Sequence, residues 1–159
     1  MAIGVMPKPR VLFVCLGNIC RSPLAEGAFR QAASDAGLEA GADSAGTANY
    51  HVGKLPDERS IAAAREHGVD ITAQRARQLA AADYTRFTHI FALDEDNLAD
   101  IRARAPKDAT AEIALLMDAV PGQEGEAVAD PYYGGPEGFQ QTWREVRMAA
   151  EALVARFTR

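Results

Sequence analysis

The sequence predicts an α/β fold: a four-stranded parallel twisted sheet with helices on both faces. Three observations carry it. Short apolar runs alternate along the chain with segments of helical period, the pattern of strand–helix–strand units. Such units cross over right-handed and cover their sheet on both sides. A length of 159 residues suits one domain, 1–159.

The elements follow in order. Residues 10–15 (Arg-Val-Leu-Phe-Val-Cys) form a continuous apolar run, a buried parallel strand that ends in a loop. Ser22 suits a helix N-cap and Pro23 the first helical position. That helix runs toward Asp35, and Gly37 stops it. A second strand is expected near 39–44. Pro56-Asp57 starts a helix toward His67, ended by Gly68. Thr88 to Leu93 reads as a third strand, and Asp94 caps a helix to about Arg104. A short fourth strand is expected at 112–116. Residues 118–138 hold four glycines before Pro136 and two further prolines, and read as loop. Phe139, Trp143, Val146, Ala150, Leu153 and Phe157 recur at steps of three and four, a helix whose apolar stripe packs on the sheet.

Composition narrows the function classes. Apolar residues make up 48% of the chain, but 32 of them are alanine. The larger ones still suffice for one core and exclude wholesale disorder. The net charge of −5 argues against nucleic acid as the main partner, since phosphate backbones need a basic surface. It leaves room for one phosphate in a local pocket. No run approaches the ~18 apolar residues of a membrane span. Met1–Arg10 lacks the apolar stretch of a secretory leader. Two cysteines make no disulfide framework, and His51, His67 and His89 show no ligand spacing. They read as ordinary surface or loop residues; no metal and no cofactor is expected. The expected compartment is the cytoplasm, and the expected state a monomer or weak dimer.

The chemistry concentrates in Cys15-Leu16-Gly17-Asn18-Ile19-Cys20-Arg21-Ser22. A thiol stands at the exit of a strand, where ligands bind in open parallel sheets. Leu16 to Ser22 can curl so that successive N–H groups point inward, which with a helix N-terminus makes an anion site. Arg21 adds a fork for two phosphate oxygens. Such a field favours thiolate over thiol, and a Ser22 hydroxyl can donate to the sulfur. A nucleophile thus stands at the floor of a phosphate cradle. With two Cys and 14 Arg, the bare Cys-x5-Arg spacing is a weak signal; the strand before it and the Ser-Pro after it give it weight. The competing reading is a buried Cys beside an ordinary turn. Expelling an alkoxide or phenoxide also needs a general acid. Asp130, in Asp-Pro-Tyr-Tyr-Gly-Gly, is the candidate; the alternative is a plain turn Asp before Pro. Asp94-Glu95-Asp96 reads as a helix N-terminus and not as an acid pair.

Val11 to Pro23 resembles the signature of the low-molecular-weight protein tyrosine phosphatases, and Asp130-Pro-Tyr-Tyr-Gly134 looks like their late acid loop. Asp43-Ser44-Ala45 and Arg77-Gln78 fall where that family has similar stretches. The resemblance covers roughly residues 9–158, and it implies the phosphotyrosine phosphatase I-like sheet. It also implies roles. Cys15 would attack phosphorus and form a phosphocysteine; Arg21 would bind the phosphoryl oxygens. Asn18 and Ser44 would hold the loop's shape, and Ser22 would ease departure of the thiolate. Asp130 would protonate the leaving oxygen and then activate water. Ile19, Tyr50, Tyr132 and Tyr133 would wall a pocket for an aromatic ring. Phosphotyrosine-containing proteins would be the substrates, with phosphate or vanadate as inhibitors. Where members commonly carry a loop-buttressing His, this chain has Gln74, which bonds but cannot titrate.

Rival readings differ in one residue type each. Arsenate reductases on this scaffold relay oxidation through later cysteines, and none follows Cys20. Protein-arginine phosphatases carry Thr where Ile19 stands. A non-catalytic phosphotyrosine-binding module would lack Cys15 or Asp130. Cys20 suggests a redox role, since it shares a tight loop with an oxidisable Cys15; the alternative is a small apolar packing residue.

Overall fold

The computed structural model describes residues 8–159. Most of the stretch read above as no leader, Met1–Arg10, lies outside them. The sheet has the order β2-β1-β3-β4 and every pairing is parallel. Its strands are β1 (Arg10–Cys15), β2 (Gly41–Gly46), β3 (His89–Ala92) and β4 (Glu112–Leu115). The helices are α1 (Arg21–Asp35), α2 (Glu58–Glu66), α3 (Asp83–Arg86), α4 (Glu95–Arg104) and α5 (Pro136–Phe157). The chain thus has the α/β architecture its alternating pattern predicts.

β1 sits between β2 and β3, and its side chains divide by the two-residue period of a strand. Val11, Phe13 and Cys15 join one apolar cluster with Leu24, Phe29, Trp143 and Leu153 of α1 and α5. Leu12 and Val14 join the other, with Tyr84, Ile90, Leu98 and Ile101. Each large side chain buried in this way contributes about 1.5–3 kcal/mol. The α5 stripe lies on the sheet as its spacing predicts, except that Phe139 turns to Cys20 and Ala63 beside the β1–α1 loop.

Several boundaries differ from the sequence reading, those of β3 by one residue at each end and that of β4 by one residue at its carboxyl end. The second strand is Gly41–Gly46 and not 39–44. It has no β-branched residue, so its extent is set by its register on β1, Arg10 opposite Gly41 through Cys15 opposite Gly46. The segment read as loop over 118–138 begins inside a 3₁₀ turn, Leu116–Ala119, and ends inside α5. Pro136 needs no N–H at a helix start, so it opens the helix three residues before the apolar stripe. α1 starts at Arg21, so Ser22 lies in its first turn and does not cap it; its hydroxyl is engaged elsewhere. Asp57 and Asp94 do cap α2 and α4, accepting from the N–H of Arg59 and Asn97. Gly37 ends α1 with φ of 68°, a left-handed conformation that glycine adopts without strain.

Candidate active site

The site lies where β1 delivers the chain to α1, at the carboxyl end of the sheet. Asn18 sets the shape of the connecting loop. It has φ of 58°, the one positive value outside glycine among the described residues. Asn tolerates this region better than most residues, and a strained residue persists only where its surroundings over-determine it. Here three bonds do so. Its Nδ2 donates to Ser22 Oγ (2.8 Å) and Ser44 Oγ (2.9 Å), and its Oδ1 accepts from the Arg77 N–H (3.0 Å). Asn18, Ser22 and Ser44 are all buried beneath the loop. Gln74 joins this network from the other side. Its Oε1 accepts from Ser44 Oγ at 3.4 Å and its Nε2 donates to Pro23 O at 3.1 Å.

The loop is also pinned from outside. The N–H groups of Thr47 and Ala48 donate to the carbonyls of Cys15 and Leu16, and the Asp57 N–H to that of Ile19. β2 reaches it so closely that a Cβ on Gly46 would stand 2.7 Å from Leu16 O. No larger residue fits there without displacing the backbone.

Cys15 Sγ lies 3.0 Å from Ser22 Oγ. Arg21 is buried to 4% exposure. Its Nη1 spends both hydrogens on the protein, donating to Asp94 Oδ2 (2.8 Å) and Val128 O (2.9 Å). Its Nη2 faces Asp130 Oδ2 at 3.8 Å. Asp130 is half-exposed, and its Oδ1 accepts from the Tyr132 N–H at 3.0 Å, the Asx turn of a short polar residue before a turn. These groups share one cleft of about 210 Å³, lined by Cys15, Leu16, Gly17, Ile19, Cys20, Arg21, Tyr50, His51, Asp130, Tyr132 and Tyr133. A larger cavity of about 490 Å³, lined by Glu26, Asp43 and Gln74 among others, contains no nucleophilic thiol. Burial there pushes the Glu26 carboxyl above its usual range, against the opposing pull of Arg30.

The structure therefore gathers every loop and pocket residue picked from the sequence, either on the cleft wall or in the layer beneath it. Tyr132 and Tyr133 meet edge to face at 5.0 Å, with Tyr133 standing almost wholly in solvent. Cys20 is buried beside Ala63, Phe139 and the partly buried Ile19. Burial pushes its thiol up to about 12, helped by the negative charges of Asp57, Cys15 and Asp130 and opposed by Arg59. Among the described residues no group of three His, Cys, Asp or Glu could hold a metal ion.

Three residues escaped the sequence reading. Asp94 caps α4 as expected, and its other oxygen also fixes Arg21. Its place after β3, at the carboxyl end of the sheet, was the available signal. His51 is a cleft residue, packed close over Gly17 and edge to face with Tyr50 at 6.4 Å; nothing in its spacing marked it. Arg59 holds the carbonyls of Tyr132 and Gly134. The other histidines are packing residues. His67 stacks on Trp143, while His89 lies in β3 against Phe91 and Phe157, not in a loop, and burial lowers its affinity for a proton.

The sequence profile of the low molecular weight phosphotyrosine protein phosphatases matches residues 10–159. The chain belongs to that family. It is, with the family, a protein tyrosine phosphatase, a phosphoric monoester hydrolase. A low molecular weight phosphotyrosine protein phosphatase of Schizosaccharomyces pombe is 44% identical over 133 residues, covering 82% of this chain and 85% of the relative. A low molecular weight protein-tyrosine-phosphatase of Bacillus subtilis is 40% identical over 147 residues, covering 91% and 93%. In fold, a protein tyrosine phosphatase of Entamoeba histolytica superposes with a TM-score of 0.89 at 33% identity, covering 95% of this phosphatase and 97% of that chain. A Drosophila arginine phosphatase superposes at 0.87 with 31% identity, covering 94% and 98%. No helix among the described residues is long and apolar enough to cross a membrane.

Proposed function

We propose that this phosphatase hydrolyses protein phosphotyrosine and small aryl phosphates through a phosphocysteine intermediate. One observation carries the reading: Cys15, Arg21 and Asp130 line one cleft whose floor is the Leu16–Ser22 loop. The Cys15 thiolate attacks phosphorus as the bond to the phenolic oxygen breaks. Asp130, protonated, gives its proton to that oxygen. In the second step Asp130 takes a proton from water, the hydroxide displaces sulfur, and inorganic phosphate leaves. Ser22, 3.0 Å from the sulfur, stabilises the departing thiolate. Arg21 has its Nη1 occupied by Asp94 and Val128, so the edge formed by Nε and Nη2 is the one left to take two phosphoryl oxygens. Charge stabilisation and positioning of this kind supply most of the rate in phosphoryl transfer. Phosphate and vanadate bind the same cradle and inhibit. A reaction that needs a reduced thiol fits a reducing compartment, and we assign the chain to the cytosol on that ground.

The aromatic preference rests on Ile19, held by Cys20, Ala63 and Phe139 at the cleft wall, with Tyr50 and Tyr132 lining the same cleft. Phosphoarginine is the second reading, favoured by the fold likeness to the Drosophila arginine phosphatase. A branched aliphatic wall favours a phenyl ring over a polar guanidinium. An aryl phosphate should give a burst of phenol followed by slower turnover, while phosphoarginine, followed by release of inorganic phosphate, should turn over far more slowly. Ile19→Thr should raise the ratio of kcat/KM on phosphoarginine to that on phosphotyrosine by roughly tenfold, the scale of one altered apolar contact. An unmoved ratio assigns the selection to another wall.

We also propose Cys20 as the thiol that resolves oxidation of Cys15. Peroxide converts Cys15 to a sulfenic acid; Cys20 attacks that sulfur, a disulfide forms and water leaves. Burial is the main cause that holds the Cys20 thiol protonated, and oxidation of Cys15 leaves it in place while removing a smaller one. After peroxide treatment, wild type should regain activity with dithiothreitol and Cys20→Ser should regain several-fold less. Equal recovery would leave Cys20 a packing residue.

A further inference from the structure

Arg59, near the start of α2, joins three parts of the molecule. Toward the phosphate-binding loop it grips Asp57, Nε to Oδ1 at 3.0 Å and Nη2 to Oδ2 at 3.1 Å. The Asp57 N–H in turn donates to Ile19 O at 2.8 Å. Toward the loop after Asp130, its Nη2 donates to Tyr132 O at 3.0 Å and its Nη1 to Gly134 O at 3.1 Å. Its guanidinium also lies over the Phe139 ring, 4.5 Å from the centroid, and 5.6 Å from that of Tyr132. A planar fork with five donors can make all these contacts together; an ammonium cannot.

The segment it grips needs holding. Gly134 and Gly135 give it backbone freedom, and Tyr132, Tyr133 and Gly134 are exposed. Asp130 has one close tie of its own, from the Tyr132 N–H; its contact with Arg21 is longer, at 3.8 Å. Tyr132 therefore holds Asp130 through its N–H while Arg59 holds Tyr132 through its carbonyl.

We propose that Arg59 is a positioning residue for the reaction: it straps the Asp130 loop to the phosphate-binding loop and thereby sets where the acid stands over Cys15. The inference rests on the reading of Asp130 as the general acid. Arg59 touches no reacting atom, so its loss acts only on the two steps that Asp130 serves, and the leaving group senses the first of them alone.

The test compares two substrates, phenyl phosphate, whose leaving group needs a proton, and 2,4-dinitrophenyl phosphate, whose leaving group does not. Arg59→Ala should lower kcat/KM on phenyl phosphate, which reads the step that expels the phenol, by about 10–100-fold, the cost of a displacement on the order of 1 Å. On the dinitrophenyl ester the loss should be within about threefold, since the proton donor contributes little there. Inhibition by inorganic phosphate should be unchanged. Arg59→Lys should recover part of the loss on phenyl phosphate. Equal loss on both substrates overturns the proposal and makes Arg59 a residue of general stability. Asp130→Asn read on the same pair separates the two claims: a uniform loss there overturns the acid assignment itself. A substrate-dependent loss there with a uniform loss in Arg59→Ala overturns only the strap. If Arg59→Ala does not fold, Arg59→Lys decides by the same comparison, a smaller but substrate-dependent loss supporting the strap and a uniform one overturning it.

Discussion

Cys15→Ser should abolish steady-state turnover while phosphate and vanadate continue to bind. The exchange of sulfur for oxygen changes little in the cradle's shape or in its charged partners. Asn18 keeps its bonds to Ser22 and Ser44, and Arg21 its ties to Asp94 and Val128. What is lost, on the proposed mechanism, is the nucleophile. A serine hydroxyl has no neighbouring base here; the group beside it is another hydroxyl, Ser22, at the end of a chain of neutral donors. Loss of a covalent nucleophile costs on the order of 10⁴–10⁶-fold in kcat. Phenol release by the purified variant should stay at the blank, while vanadate still raises its Tm. Genuine turnover by the pure variant would remove Cys15 from the mechanism.

Asp130→Asn should slow phenyl phosphate hydrolysis by about 10²–10⁴-fold, the usual reach of general acid catalysis. The substitution is a clean one for a structural reason. An Asn Oδ1 can still accept from the Tyr132 N–H, so the turn keeps its bond. What is removed is the carboxyl that would give a proton in the first step and take one in the second. The loss in kcat/KM should therefore shrink as the leaving group becomes more acidic across a series of substituted aryl phosphates. A constant loss across the series would mean that Asp130 does not protonate the leaving oxygen.

The site was legible to different depths. The Cys15–Ser22 segment could be read because its chemistry and its place on the chain coincide: an apolar strand ends there on a thiol, with a glycine and an arginine close behind. Asn18 and Ser44 were reached only through the family resemblance, since no local rule pairs residues 26 apart. The extent of β2 was hidden because Gly-Ala-Asp-Ser-Ala-Gly carries no strand propensity; pairing with β1 defines it. Ser22 was misread for a related reason. Ser before Pro is a good cap in isolation, but here the hydroxyl is drawn to Cys15 and Asn18, and the helix starts two residues earlier. Asp94 and Arg59 each serve two elements, and sequence rules see only the local half: the cap in one case, the neighbour of a capping Asp in the other. α3, four residues long, is too short for its periodicity to register.

Arg21 is fixed by partners 73 and 107 residues further along the chain, and Asn18 by a backbone N–H 59 residues away. Contacts of such high order each close a long loop, and the entropy of that closure is offset only by the fold as a whole. The loop is local in sequence, yet the cradle exists only when the segments around Ser44, Arg77, Asp94 and Val128 are in place together. Occupancy by an oxyanion is then linked to the global equilibrium: a ligand at a hundred times its Kd adds about 2.7 kcal/mol to the stability of the whole chain. Binding competence is in this sense a property of the completed fold, and an anion in the cradle acts as its final clasp.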